Sequence, residues 1–235
     1  MSDAIQLWKV PLVVAEDVLS TYFFCLSEDE KARANRFRFA NDRRRFVTAR
    51  GTLRYLLGRQ FGQPPQAVEF CYGQYGKPRM EQMPNVLAAT AIKPCDFHFN
   101  LSHSGELALC VLGYHRQVGV DVEIVKPIKR LESLMSRCLV DWEQAQVKAE
   151  TLEGQPRAFL QRWTCKEAYL KAIGLGLIQS MQTVEVDCTV PRLVKVPDNC
   201  LAEWRLHLVP LPDDYVGALV VAGDAAVEVF DWQHS

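Results

Sequence analysis

An α+β fold with mostly antiparallel sheets is what this chain of 235 residues predicts. Residues 42–61 and 157–174 repeat their apolar positions with helical period. Residues 184–190, 203–209, 216–222 and 227–232 read as strands separated by Pro and Gly turns. Regular alternation of strand and helix, the mark of a parallel βαβ sheet, is missing.

The elements follow in order. Residues 5–14 read as a strand, interrupted by Pro11. Ser27 suits the N-cap of a helix whose first turn carries Glu28 to Glu30, where the helix dipole favours acids. The helix over 42–61 aligns Phe46, Arg50, Leu53 and Leu57, so Arg50 needs a carboxylate or carbonyl partner. Gly62, Pro64 and Pro65 end it. Residues 68–72 form a short strand, 76–78 a Gly-Lys-Pro turn and 80–95 a loop. Phe97, Phe99 and Leu101 alternate along a strand that runs into a turn at Ser102-His103-Ser104-Gly105. Residues 107–112 have buried-strand character, and His115 and Arg116 turn the chain into VGVDVE at 118–123. Helices are expected over 131–139, 141–150 and 157–174, the last stopped by Gly174 and Gly176. A break near residue 115 divides the chain into 1–115 and 116–235.

A hydrophobic fraction of 49% and a charged fraction of 23% are those of a soluble globular protein. The net charge of -1 selects no partner, but its distribution is uneven. Residues 31–59 hold ten Lys or Arg and one acid, Asp42, so this block faces an anion or is solvated. The eight cysteines include no C-x-x-C pair and no zinc-type spacing, which predicts free, mostly buried thiols in a reducing compartment. With no leader pattern and no run of 18 apolar residues, a cytoplasmic protein without membrane contact is expected.

In VGVDVE the three valines share one strand face, and Asp121 and Glu123 share the other. Glu167 falls inside the apolar stripe of Phe159, Leu160, Trp163, Leu170 and Ile173. A carboxylate on a core-facing stripe is costly unless paired or bound to a metal. Asp121, Glu123 and Glu167 together make an all-oxygen donor set suited to magnesium. The plainer alternative leaves Asp121 and Glu123 in solvent and pairs Glu167 with Lys171, four residues on. Ser102-His103-Ser104 is either a hairpin turn or a phosphate-binding pair, and Lys77 either a surface lysine or one beside an anion. The basic block is a solvated face, a nucleic-acid surface, or a site for polyphosphate and an acidic protein.

VGVDVE and WTCKEAYLKAIGLGL, preceded by YGKP and NLSHS, together resemble the Sfp-type 4′-phosphopantetheinyl transferases. The resemblance spans roughly residues 33–176, and Trp163 with Lys166-Glu167-Ala168 resembles the members that carry W and KEA. It implies two similar α+β halves packed face to face as a pseudo-dimer, each with a long helix, and coenzyme A in the cleft between them. The implied enzyme moves the 4′-phosphopantetheine arm of coenzyme A to a serine of an apo acyl or peptidyl carrier protein, releasing adenosine 3′,5′-bisphosphate. It also implies Mg2+, with Mn2+ possible, on Asp121, Glu123 and Glu167. Glu167 matches a general base and Lys171 a lysine beside the pyrophosphate. Lys77, Ser102 and His103 match nucleotide contacts; Arg33, with Arg44 or Arg45, matches basic residues near the 3′-phosphate. Protonation of His103 would favour that phosphate near neutral pH. Where some relatives carry a further lysine before Arg33, this chain has Glu30 or Lys31. The carrier's acidic surface would meet part of the basic block, and the protein would be a monomer that binds no nucleic acid. Three other functions compete: a nucleic-acid-binding module, a magnesium-dependent phosphodiesterase, and an inactive scaffold.

Overall fold

Long apolar runs on both sides of residue 115 form two sheets that stack on each other. The computed structural model describes residues 4–73, 77–81, 96–174, 181–197 and 203–234. The first part runs β1 (Ile5–Pro11), α1 (Glu16–Cys25), α2 (Glu28–Asn35), α3 (Ala40–Phe61), β2 (Phe70–Tyr72), β3 (Pro78–Met80), β4 (Phe97–Ser104) and β5 (Leu107–Tyr114). The second runs β6 (Val118–Ile124), α4 (Leu131–Cys138), α5 (Asp141–Lys148), α6 (Gln155–Ile173), β7 (Glu185–Asp187), β8 (Arg192–Lys195), β9 (Trp204–Leu208), β10 (Tyr215–Ala222) and β11 (Val227–Asp231). The larger sheets have the orders β11-β1-β5-β4 and β6-β10-β9. Their pairings are antiparallel except β1 with β11, which is parallel. The expected α+β class with mainly antiparallel sheets is therefore observed.

Side-chain parity sorts the core into layers. Leu109 and Val111 of β5 pack with Val118, Val120 and Val122 of β6 and with Leu219 and Val221 of β10, between the sheets. Cys110, Leu112 and Tyr114 face the other way, onto Leu53, Leu57 and Phe61 of α3. Val216, Ala218 and Val220 likewise face Ala168 and Ala172 of α6. The order is helix, sheet, sheet, helix, so each half lays one long helix on the outer face of its sheet. β11 returns to pair with β1, so the last strand of 116–235 completes the first half's sheet. His234 Nε2 lies 2.7 Å from the Pro11 carbonyl and tethers the following residues there.

Local chemistry accounts for the element ends. Ser27 and Glu30 form the capping box of α2. Gly62 (φ 63°) and Gly174 (φ 79°) end α3 and α6 in the left-handed conformation. Gly176 lies outside the described residues, as do Cys95, Cys200 and most of the loop expected over 80–95. α1 escapes a sequence reading because no side chain caps its start at Ala15 and its apolar run has little helical contrast; packing on α3 holds it. The strand expected over 5–14 stops at Pro11, and β8 was not anticipated. Ser102 to Ser104 continue β4, and the turn falls at Gly105 and Glu106. Pairing of Ser102, His103 and Ser104 with Leu109, Ala108 and Leu107 outweighs their turn propensity. Among the described residues no helix is long and apolar enough to cross a membrane.

Gly119 governs how closely α6 approaches β6. A Cβ there would meet the Ala168 carbonyl at 2.1 Å and the Ala172 nitrogen at 2.4 Å. Both are helix backbone, so no rotamer change relieves the clash. Gly119→Ala is expected to cost about 3 kcal/mol or more in urea unfolding. An unchanged midpoint would contradict this close approach.

Candidate active site

β4 and β6 are edge strands of different sheets, and alternate side chains of β4 join them. Asn100 Oδ1 accepts the Val120 N–H at 2.9 Å. Ser102 Oγ donates to Asp121 Oδ1 at 2.7 Å, and Ser104 Oγ donates to Glu123 Oε2 at 2.6 Å. Ser104 Oγ also accepts the Ile124 N–H at 3.1 Å. Asp121 and Glu123 are thus aimed by hydroxyls on one side and approached by α6 on the other.

α6 carries Glu167 and, one turn later, Lys171. Lys171 Nζ donates to Asp121 Oδ1 at 2.6 Å and to Ser102 Oγ at 2.9 Å. The plain alternative of a Glu167–Lys171 pair gives way to this bond with Asp121. Asp121 Oδ2 and Glu167 Oε1 are buried and make no hydrogen bond among the described residues. Burial pushes the Glu167 carboxyl up to about 7; Asp121 raises it further, Lys171 opposes this, and Glu123 adds to the rise. Burial also raises Glu123, against its bond from Ser104.

Among the described residues no three His, Cys, Asp or Glu side chains stand ready as a metal cage. The donor chemistry nevertheless fits a hard cation: two partnerless buried carboxylate oxygens, with the charge of Glu123 acting on the same group. Asp121, Glu123 and Glu167 are the residues that would hold it.

The basic residues divide. His103 is exposed at its edge, but surrounding protein holds its imidazole below the usual range, helped by the charges of Lys171, Arg45 and Arg33. It is therefore neutral at neutral pH, and the cations around it supply the positive field. Arg33 lies 5.1 Å above the Phe46 ring. Arg45 binds Glu106 at 2.5 Å and Asp42 at 3.2 Å. Arg44 instead reaches Glu16 and the Val14 carbonyl, on the α1 side of α3. Lys77 Nζ donates to the carbonyls of Val118 (3.2 Å), Lys171 (2.6 Å) and Ala172 (3.0 Å), capping the end of α6. Burial, with the charge of Arg79, brings its pKa down to about 8.

Other charges of the motifs turn inward. Glu30 is buried and binds Arg50 and Arg54, which gives Arg50 the expected carboxylate. Lys166 points away from Glu167 into the second core, where it meets Glu143 at 2.6 Å and the Cys138 carbonyl at 2.9 Å. Burial lowers its pKa, and Glu143 opposes that. Asn100 and Ser104 were not expected at the site. Their signal is the spacing N-x-S-x-S in a strand, matched to D-x-E, and the turn propensity of Ser102 to Ser104 masks it.

Two family models match the chain. The 4′-phosphopantetheinyl transferase superfamily model covers residues 117–220, and the 4′-phosphopantetheinyl transferase N-terminal model covers 14–113. The chain is 39% identical over 234 residues to the 4′-phosphopantetheinyl transferase HetI of Nostoc sp., covering 99% of this chain and 91% of that protein. The chain belongs to the 4′-phosphopantetheinyl transferase superfamily. The expected Sfp type is supported by Sfp of Bacillus subtilis, 27% identical over 68% of this chain and 66% of Sfp. Among solved structures, a holo-(acyl-carrier-protein) synthase of Bacillus anthracis in complex with CoA (3′,5′-ADP) matches 46% of this chain and 96% of its own, with 26% identity and a TM-score of 0.38.

Two expectations concern stability. Lys166→Met strands the buried Glu143 charge and is expected to cost about 3–5 kcal/mol in urea unfolding. Glu143 also accepts the Val140 and Val186 N–H groups, so the double variant Lys166→Met with Glu143→Gln, which removes the charge but keeps an acceptor, should recover part of that loss. Equal losses in both would show that the stranded charge is not the cause. His98 is held at about 4, below 6.5, by burial and by the charges of Lys77 and Arg79. The unfolded chain takes up this proton first, so stability falls as pH drops from about 6.5 to 4. His98→Phe should flatten that limb of a pH-dependent unfolding series, and an unchanged slope would contradict the half-buried neutral imidazole.

Proposed function

We propose that this chain takes the 4′-phosphopantetheine arm of coenzyme A and transfers it to a serine hydroxyl of an apo acyl or peptidyl carrier protein, releasing adenosine 3′,5′-bisphosphate. The observation that carries the detailed reading is the pair of partnerless buried oxygens, Asp121 Oδ2 and Glu167 Oε1. A divalent cation offsets the cost of burying both. Magnesium suits the all-oxygen set, and manganese accepts the same donors. Bound there, the ion would neutralise charge on the pyrophosphate of coenzyme A.

The chain's own groups do the rest. Ser102 and Ser104 hold Asp121 and Glu123 in line. Glu167 takes the carrier serine proton, directly or through a water. Lys171, beside Asp121, offsets charge on the departing bisphosphate. His103, Arg33 and Arg45 receive the nucleotide's 3′-phosphate, with neutral His103 as a hydrogen-bonding group and the arginines as the charge. Arg44 and Lys77 are bound elsewhere and join only if a ligand draws them from their partners. In this reading residues 1–115 supply the nucleotide contacts and 116–235 the carboxylates. The exposed arginines at 36 and 38 meet the carrier's acidic surface in one-to-one encounter with a monomer.

The test is a mass spectrum of apo carrier proteins from fatty acid, polyketide and peptide systems after incubation with this protein, coenzyme A and magnesium. Expected is a gain of one phosphopantetheine, lost with EDTA and slowed about 100-fold or more by Asp121→Ala. No transfer to any carrier, with coenzyme A hydrolysed instead, would favour a phosphodiesterase. His103→Ala should raise KM for coenzyme A more than for its analogue lacking the 3′-phosphate. Equal effects on both would remove His103 from the phosphate site.

A further inference from the structure

The back of α6 carries a feature that transfer chemistry does not use. Cys165 lies two residues before Glu167, and side chains two apart on a helix point to nearly opposite sides. Cys165 is therefore turned into the second core, away from the carboxylates, and is fully buried. Its sulfur lies 3.9 Å from that of Cys188. Cys188 stands in the turn that follows β7 and is only partly buried, so it is the member of the pair nearer to solvent.

Each of the described cysteines is a free thiol, and most offer no such chemistry. Burial raises the thiols of Cys25 and Cys110 as it raises that of Cys165, but neither has a second sulfur in contact among the described residues. Cys71 is exposed, but its sulfur faces the Arg79 and Met80 carbonyls rather than a second thiol. The 165–188 pair joins a partly buried cysteine to a second sulfur at contact distance. A disulfide needs a separation of about 2.05 Å, so the sulfurs must close by roughly 2 Å. The partner elements can move: β7 has three residues and β8 four, and the pair is irregular at Glu185 and Val186.

We propose that Cys165 and Cys188 form a reversible thiol–disulfide site, oxidised by a hydroperoxide, that staples the β7–β8 hairpin to the back of the site helix. The Cys188 sulfur attacks one peroxide oxygen, the O–O bond breaks, and one water (or alcohol) leaves. The resulting sulfenic acid is attacked by the Cys165 sulfur; the S–S bond forms and a second water leaves. Two thiols are oxidised and one peroxide is reduced, two electrons in all. A dithiol reverses the bond by exchange. The closed loop contains Glu167, Lys171 and the end of α6, so the bond restricts the unfolded chain around the site helix.

The test uses the full chain with low equivalents of hydrogen peroxide. Free thiols are then alkylated, and unreduced peptides are mapped by mass spectrometry. A cross-linked pair containing Cys165 and Cys188, two hydrogens lighter than the free peptides, is expected. With it Tm should rise by about 5–10 °C. Dithiothreitol should reverse both changes, and Cys188→Ser should show neither. Cys71, exposed and without a thiol partner among the described residues, reports that the peroxide reached the protein. The inference is overturned if Cys71 is oxidised while 165 and 188 remain fully alkylatable after denaturation. A bond from either residue to Cys95 or Cys200 would overturn it too. Because the wild-type peptide map decides alone, a variant that fails to fold leaves the answer intact.

Discussion

The structure depends on a polar seam between two strand edges. β4 and β6 end separate sheets, and an uncovered edge is a row of unsatisfied backbone groups. Here Asn100, Ser102 and Ser104, two residues apart, reach across to β6 and take the place of a ladder. This holds the halves in register and consumes one oxygen each of Asp121 and Glu123. The carboxylates are thereby oriented before any ligand arrives, the kind of preorganisation a catalytic site requires.

The seam also explains why charge accumulates at this point. Packing of α6 on the outer face of its sheet excludes water there, and Gly119 lets the helix sit against β6 with only backbone between them. Glu167 is carried into that low-dielectric space among two other carboxylates, and Lys171 offsets only part of the repulsion. Such an arrangement costs stability unless something else satisfies it. Stability spent at a site and made up elsewhere in the core is a common mark of function.

The basic block shows how one composition serves several purposes. Arg50 and Arg54 turn inward and share Glu30, fastening α2 to α3. Arg44 fastens α1 to α3, whereas Arg33 and Arg45 send their charge toward His103. Adjacent residues on α3 thus part company, because successive side chains leave a helix about 100° apart. Lys166 and Glu167 divide in the same way, one into an internal ion pair and one into the site.

By itself the sequence determined the α+β class, the two long helices, the strand faces of VGVDVE and the buried position of Glu167. These follow from periodicity, which is local and survives any arrangement of the elements. The family was legible too, because its motifs are runs of neighbouring residues in a set order. Only the tertiary structure decided that Ser102 to Ser104 belong to a strand, since Leu107 to Leu109 supply their partners. It alone turned Lys171 toward Asp121, Arg45 rather than Arg44 toward His103, and Lys77 onto the end of α6. β11 joined β1 in the same way, across more than 200 residues of chain. Each of these outcomes depends on which groups distant in sequence are brought close, and that is set only when the sheets have packed.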